Sequence, residues 1–157
     1  DSLLVAEETG CLHRNFMGYT HQHTQLLVGL GVSSISDSLY AFAQNVKTVE
    51  EYLKLVKEGE LPVFKGHLLT SEDLVIRYHI LNIMCKGETH WNKEACDSLF
   101  EGIKRLQLLA EDNLIELNSW NLKVTPLGKR FLRNICMAID ARLWDNQPSS
   151  QLFSMAV

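Results

Sequence analysis

The chain has 157 residues, enough to bury a core and few enough for one domain, or for a small domain with part of another. Its hydrophobic share of 46% and charged share of 22% are ordinary for a globular protein, and a formal net charge of -4 offers no overall basic field for nucleic acid or an anionic membrane. No apolar run is long enough to cross a bilayer, and no signal-peptide pattern opens the chain.

In chain order, residues 1 to 9 read as a helix already under way without an initiator methionine, as in a truncated or processed piece, and Gly10 supplies its left-handed stop. Residues 11 to 20 read as extended chain. Leu26 to Val28 continue as a buried apolar run, interrupted by Gly29 and Gly31 before Val32-Ser33-Ser34-Ile35-Ser36. A strand ending in glycines is either a tight turn or a place where backbone approaches a ligand closely. Thr48-Val49-Glu50-Glu51 is a capping box opening a helix with Tyr52, Leu55 and Val56 on its apolar face. Gly59 ends that helix, and Pro62 forbids an early restart. Residues 59–69 are expected to be a connector strap lying along a surface.

From Thr70 the pattern is that of a compact helical domain. Thr70 caps a helix with Glu72 and Asp73 in its first turn, where negative charge suits the helix dipole. Leu74, Tyr78, Leu81 and Cys85 share one face of it, widened by Ile80, Ile83 and Met84, and Gly87 ends it. A second helix starts near Asn92, with Leu99, Ile103, Leu106 and Ala110 at helical spacing. Asp112-Asn113 breaks it. Two short strands, Leu114 to Leu117 and Leu122 to Thr125, then predict a hairpin. Thr125-Pro126 starts a last helix with Leu127, Phe131, Ile135 and Ala138 or Ile139 inward. The expected fold class is α+β, mostly helical. Helix, helix, hairpin, helix over 70–145 is winged-helix-like, and 146–157 is expected to be a frayed or loosely docked tail.

Few residues advertise chemistry. Cys11, Cys85, Cys96 and Cys136 form no CxxC pair and read as buried thiols in a reducing cytosol. His21 and His23 would share a face of a strand, but no third ligand is visible, so no metal site is expected there or at Cys85, His90 and Cys96. Lys104, Arg105, Lys123, Lys129, Arg130 and Arg133 surround the wing. The acidic residues interspersed with them make a mixed solvated surface the better reading than a DNA-facing one. No GxSxG, HExxH, phosphate-binding loop, dinucleotide fingerprint or cluster-holding cysteine triplet is present, so no catalytic residue is assigned.

The stretch Arg14-Asn15-Phe16-Met17-Gly18-Tyr19-Thr20 resembles the RNFQGYT signature of bacterial oxygen-independent coproporphyrinogen III oxidases. The resemblance continues through Gly29-Leu30-Gly31-Val32-Ser33-Ser34-Ile35-Ser36, Ala43-Gln44-Asn45 and Gly59-Glu60-Leu61-Pro62-Val63. It resumes from Val124 to Ile135, in the family's order and separations. It implies a radical S-adenosylmethionine enzyme of haem biosynthesis, an oxidoreductase that decarboxylates two propionates of coproporphyrinogen III to vinyl groups, giving protoporphyrinogen IX. The family's catalytic domain is a partial (β/α) barrel holding a [4Fe–4S] cluster on CxxxCxxC. Residues 1–58 would be that barrel's closing elements and 70–145 the family's C-terminal helical domain.

On this resemblance Phe16, Met17 and Ile35 match positions that contact S-adenosylmethionine, with Gly29 and Gly31 allowing close backbone approach. The cluster ligands lie outside the chain, so it is expected to be inactive alone, to need the missing N-terminal barrel, and to self-associate through open strand edges. Cytoplasmic location is expected, with no nucleic-acid or membrane partner. Two departures stand out: Met17 replaces the family's glutamine, and His21-Gln22-His23 replaces a threonine with small or acidic residues. The alternatives are a haem-chaperone relative of the same family and a winged-helix nucleic-acid-binding module.

Overall fold

A computed structural model describes residues 1–145, apart from the side chain of Cys96; the expected tail at 146–157 lies outside the described residues. The chain divides into two compact units, Asp1–Val75 and Ile76–Val157. It mixes helix and strand, as expected, and none of the described helices is long and apolar enough to cross a membrane.

Unit 1 opens with α1 (Ser2–Glu8), capped by the Asp1 carboxylate accepting from the Leu3 N–H and stopped at Gly10, whose φ is +70°. A two-stranded hairpin follows, β1 (His13–Asn15) and β2 (Gly18–Thr20). The main sheet has the order β3-β4-β5-β6, from Leu26–Leu27, Ile35–Ser38, Ala41–Asn45 and Val63–Leu68, and all its ladders are antiparallel. Helix α2 (Val49–Lys57) starts after Thr48, whose hydroxyl reaches the Glu51 carboxylate rather than a backbone N–H.

Three expectations change in this unit. The run from Leu26 is not a buried strand: β3 is two residues long, and Leu26 and Val28 are exposed, because no described element covers them. The stretch 59–69 is not merely a strap, because Val63–Leu68 pairs with β5 as the edge strand. In α2, Tyr52 and Leu55 turn inward but Val56 is exposed.

Unit 2 contains most of the described apolar core. Helix α3 (Ser71–Lys86) leads into it, followed by β7 (Glu88–His90), α4 (Lys93–Glu111), β8 (Ile115–Leu117) and β9 (Asn121–Val124). A 3-10 turn at 128–131 enters α5 (Leu132–Ile139), and α6 (Ala141–Asp145) ends the described chain. The strands form one antiparallel sheet, β7-β9-β8. Asn92 caps α4 through the Ala95 N–H at 2.9 Å, as its side chain predicts. The hairpin is the expected one, closed by Asn118 donating to the Asn121 carbonyl at 2.9 Å.

Ile83, Leu99, Leu106, Leu122 and Ile135 are fully buried, each contributing about 1.5–3 kcal/mol of apolar transfer. The inward face of α3 differs from the expected one: Ile76, His79 and Ile83 point in, and Tyr78 is exposed. Apolar residues surround this helix on nearly every side, so their spacing cannot choose a face. What admits His79 is Thr89 on β7, whose hydroxyl lies 2.7 Å from Nδ1, with Trp91 across from the ring at 6.3 Å between centroids. Strand β7, three residues long, leaves no periodic signal.

The last helix also begins later than Thr125-Pro126 suggests. Leu127 and Phe131 are exposed, and the packed residues are Ile135, Cys136, Ala138 and Ile139. Thr125 still acts as a cap, its hydroxyl accepting from the Gly128 N–H at 3.0 Å. Gly102 lets α4 approach α5, since a Cβ there would lie 2.9 Å from the Ile139 Cα.

Two predictions follow from this core. A Cβ at Gly128 would overlap the Leu114 carbonyl. Gly128→Ala is therefore expected to destabilise unit 2 by about 1–3 kcal/mol in denaturant titration, and an unchanged midpoint would contradict the packing. Burial holds the His79 pKa below its ordinary value of 6.5. The unfolded chain then binds the proton more readily, so stability is full above about pH 6.5 and falls as pH drops through the lower folded pKa. Unfolding midpoints measured between about pH 7.5 and about pH 5 should show this decline, and His79→Gln should flatten it.

Candidate functional site

The first part of the candidate site is the β1–β2 hairpin. Its turn is Phe16-Met17, and the Asn15 side chain accepts from the Met17 N–H at 2.8 Å, which fixes the local bend. Gly18, at φ +125°, makes the tight return possible. Across the hairpin the Arg14 guanidinium lies over the Tyr19 ring, 5.0 Å from its centroid. The turn thus presents two apolar side chains: Phe16 is 51% exposed and Met17 86%. Phe16 meets Phe42 of β5 edge to face, with ring centroids 5.1 Å apart.

The register of the sheet decides what stands beside that pair. Ile35 of β4 faces Gln44 of β5, which faces Lys65 of β6; Asp37 faces Phe42, which faces His67. Directly opposed residues project to one side, and so do residues two apart along a strand. Ile35, Asp37, Phe42, Gln44, Lys65 and His67 therefore belong to one face. Phe16 joins it through Phe42. His67 Nε2 lies 3.1 Å from the Asp73 carboxylate.

The second part is the turn between β3 and β4, and it is tightly specified. A Cβ on Gly29 would stand 2.8 Å from both the Ile35 carbonyl oxygen and the Ser34 Cβ, so only glycine fits. Gly31 has φ +95°. The Gly29 N–H donates to the Ser36 hydroxyl and the Gly31 N–H to the Tyr52 hydroxyl, both at 3.0 Å. The two carbonyls accept from the Asn45 amide nitrogen at 3.0 and 2.9 Å. The structure therefore gathers Phe16 and Ile35 on one face, places Met17 at the exposed hairpin tip, and puts Gly29 and Gly31 in the rigid turn leading into Ile35.

Reasoning from sequence missed Phe42, Asn45 and Tyr52. Asn45 belongs to the resembled stretch Ala43-Gln44-Asn45, but the resemblance gave it no role. Tyr52 read as part of the apolar face of its helix, and Phe42 carried no signal of its own.

Other candidate groups do not converge. Residues 21–25 form no strand, so the expected alternation of His21 and His23 does not apply; His23 instead packs against His13, ring centroids 4.4 Å apart. Among the described residues, no three His, Cys, Asp or Glu side chains are grouped to hold a metal ion. Cys136 is buried and Cys85 half-buried, but Cys11 is exposed, because it follows the surface turn at Gly10. Of the basic residues near the wing, Arg105 donates to the Ala138 carbonyl at 2.7 Å and lies over the Trp144 ring, while Lys104 pairs with Glu101 at 2.8 Å.

Comparison with known proteins agrees with the resemblance read from the RNFMGYT stretch. No protein-family model matches the chain. It is 37% identical over 150 residues to the oxygen-independent coproporphyrinogen III oxidase of Escherichia coli, an alignment covering 91% of this chain and 33% of that protein. It is 33% identical to the enzyme of the same name from Synechocystis over 100% of this chain and 36% of that one, and 37% identical to that of Thermostichus vulcanus over 100% and 50%. The chain thus spans between a third and a half of these relatives' lengths. Among solved structures, the Escherichia coli coproporphyrinogen III oxidase, described as a radical SAM enzyme, superposes with a TM-score of 0.81 at 34% identity, covering 91% of this chain and 35% of that one.

Gly29→Ala tests the turn. It is expected to speed amide hydrogen exchange over residues 29–36 by an amount corresponding to about 1–3 kcal/mol of lost local stability, leaving residues 76–124 unaffected. Unchanged exchange across the turn would show that the close approach to Ile35 does not constrain it.

Proposed function

We propose that this chain is the C-terminal portion of an oxygen-independent coproporphyrinogen III oxidase, and that its hairpin and glycine turn close the S-adenosylmethionine pocket of that enzyme. The observation that carries this reading is the convergence of Phe16 and Ile35 on one sheet face beside the fixed turn at Gly29 and Gly31. These residues match cofactor-contacting positions of the resembled family, and the arrangement suits the task. An exposed aromatic ring and a branched aliphatic side chain make a flat apolar wall for an adenine, and the glycines let backbone come within contact distance of a ligand.

Under this reading residues 1–58 complete a partial (β/α) barrel, with β6 from the connector 59–69 extending their antiparallel sheet, and 70–145 form a winged-helix-like domain. The chain has no CxxxCxxC, so the [4Fe–4S] cluster would be held by the remainder of the parent enzyme. The cofactor pair would supply the radical that removes a propionate hydrogen, so that carbon dioxide leaves and an electron acceptor takes up the remaining electron, converting two propionates of coproporphyrinogen III to the vinyl groups of protoporphyrinogen IX in the cytoplasm. The residues of this chain bind and orient the cofactor and keep water away from it. Met17 gives its part of the wall a soft thioether where the resembled family has an amide.

The exposed apolar side chains of unit 1, among them Leu26, Leu30, Phe64 and Leu68, are the kind of surface the rest of a barrel would cover. The β6 edge is a site where isolated copies would associate.

The test is anaerobic turnover. The full-length protein carrying this chain, reconstituted with iron and sulfide, should consume S-adenosylmethionine and release carbon dioxide from coproporphyrinogen III, whereas residues 1–157 alone should do neither. A reconstituted full-length protein that binds the cluster yet leaves coproporphyrinogen III intact would remove this assignment.

A further inference from the structure

We propose that Asn45 is a positioning residue for S-adenosylmethionine, holding the β3–β4 turn in its binding conformation before the ligand arrives; this rests on the pocket proposed above.

Asn45 is one of the few buried polar side chains among the described residues, with 6% of its surface exposed. It sits where the β5–β6 register slips: Gln44 faces Lys65 but Asn45 faces Val63, so β6 carries one extra residue, Phe64, at this point. Its amide nitrogen, with two N–H donors, reaches two carbonyls, those of Gly29 and Gly31. Its own backbone N–H donates to the Ser34 carbonyl at 3.0 Å. One residue thus ties three points of the turn, and the last of them immediately precedes Ile35.

The rest of the turn is held from other directions. Tyr52 of α2 accepts from the Gly31 N–H, the Ser34 hydroxyl donates to the Leu30 carbonyl at 2.7 Å, and the Ser33 N–H donates to the Val46 carbonyl at 2.9 Å. Ser33 itself adopts φ +58°, a conformation a non-glycine residue keeps only when its surroundings impose it. A turn so determined needs little ordering when a ligand packs on it, and that saving appears as affinity. Only a double donor of this size suits the Asn45 position. An aspartate would aim a carboxylate at two carbonyl oxygens, and an aliphatic residue would leave both carbonyls without a partner.

The experiment measures S-adenosylmethionine binding and anaerobic turnover in the full-length reconstituted protein. Asn45→Asp should raise the dissociation constant and KM for S-adenosylmethionine about tenfold, equivalent to ~1.4 kcal/mol, with kcat at saturation held within about twofold. Tyr52→Phe, which removes one hydroxyl and nothing else, should raise them about threefold. Phe16→Ala serves as the control on the pocket. If Phe16→Ala leaves the dissociation constant unchanged, the pocket falls and the proposal with it. If Phe16→Ala weakens binding while Asn45→Asp and Tyr52→Phe do not, the positioning role alone is overturned. A drop in melting temperature and kcat with unchanged affinity would likewise overturn it, marking Asn45 as merely structural. Should Asn45→Asp fail to fold, the affinity of Tyr52→Phe decides the matter.

Discussion

Two backbone carbonyls, on Gly29 and Gly31, converge on a single side-chain nitrogen of Asn45, and the shape of the candidate site depends on that convergence. A carbonyl withdrawn from water needs a donor, and within the turn the Ser34 hydroxyl is already engaged by the Leu30 carbonyl. Asn45 reaches across from the end of β5 to provide one. It lies where the pairing of β5 with β6 slips by one residue, beside the edge strand. The edge strand, the register slip and the glycine turn thus meet at Asn45, with Ile35 following the turn.

The two units obtain their order from different interactions. In unit 2, apolar burial dominates: Ile83, Leu99, Leu106, Leu122 and Ile135 are withdrawn from water, and glycines at 102 and 128 let the elements approach. Unit 1 buries few residues, among them Ala6, Asn45 and Val46, and relies on ladders and on side chains bonded to turns. Each such bond is worth only about 0.5–1.5 kcal/mol net. Hydrogen bonding of this kind specifies geometry well and stabilises it modestly, which suits a surface whose work is to present Phe16 and Ile35 at a set spacing.

Elements with strong local chemistry were legible in the sequence. The Gly10 stop, the Asn92 cap, the Asn118–Asn121 hairpin and the 99-103-106 stripe all lie where composition put them, because each is decided by neighbours in the chain. Tertiary pairing was not legible. Strands β5, β6 and β7 are recognised through partners elsewhere, and α3 was assigned the wrong face because a histidine goes inside when a threonine from a later strand meets it. The site divides in the same way. Phe16, Met17, Ile35 and the two glycines were marked by a motif resemblance. The roles of Asn45, Tyr52 and Phe42 became visible only once the sheet register and α2 placed them against that motif.

The packing of Trp91 beside His79 has an optical consequence. The chain has three tryptophans, Trp91, Trp120 and Trp144, and all of them belong to unit 2. Indole emission therefore watches one half of the molecule. Unit 1 contributes only tyrosines and phenylalanines, so no indole lies in the segment that carries Phe16, the turn at Gly29 and Ile35. A transition followed by fluorescence has no direct reporter there, and a second probe is what would show whether that segment unfolds with the rest.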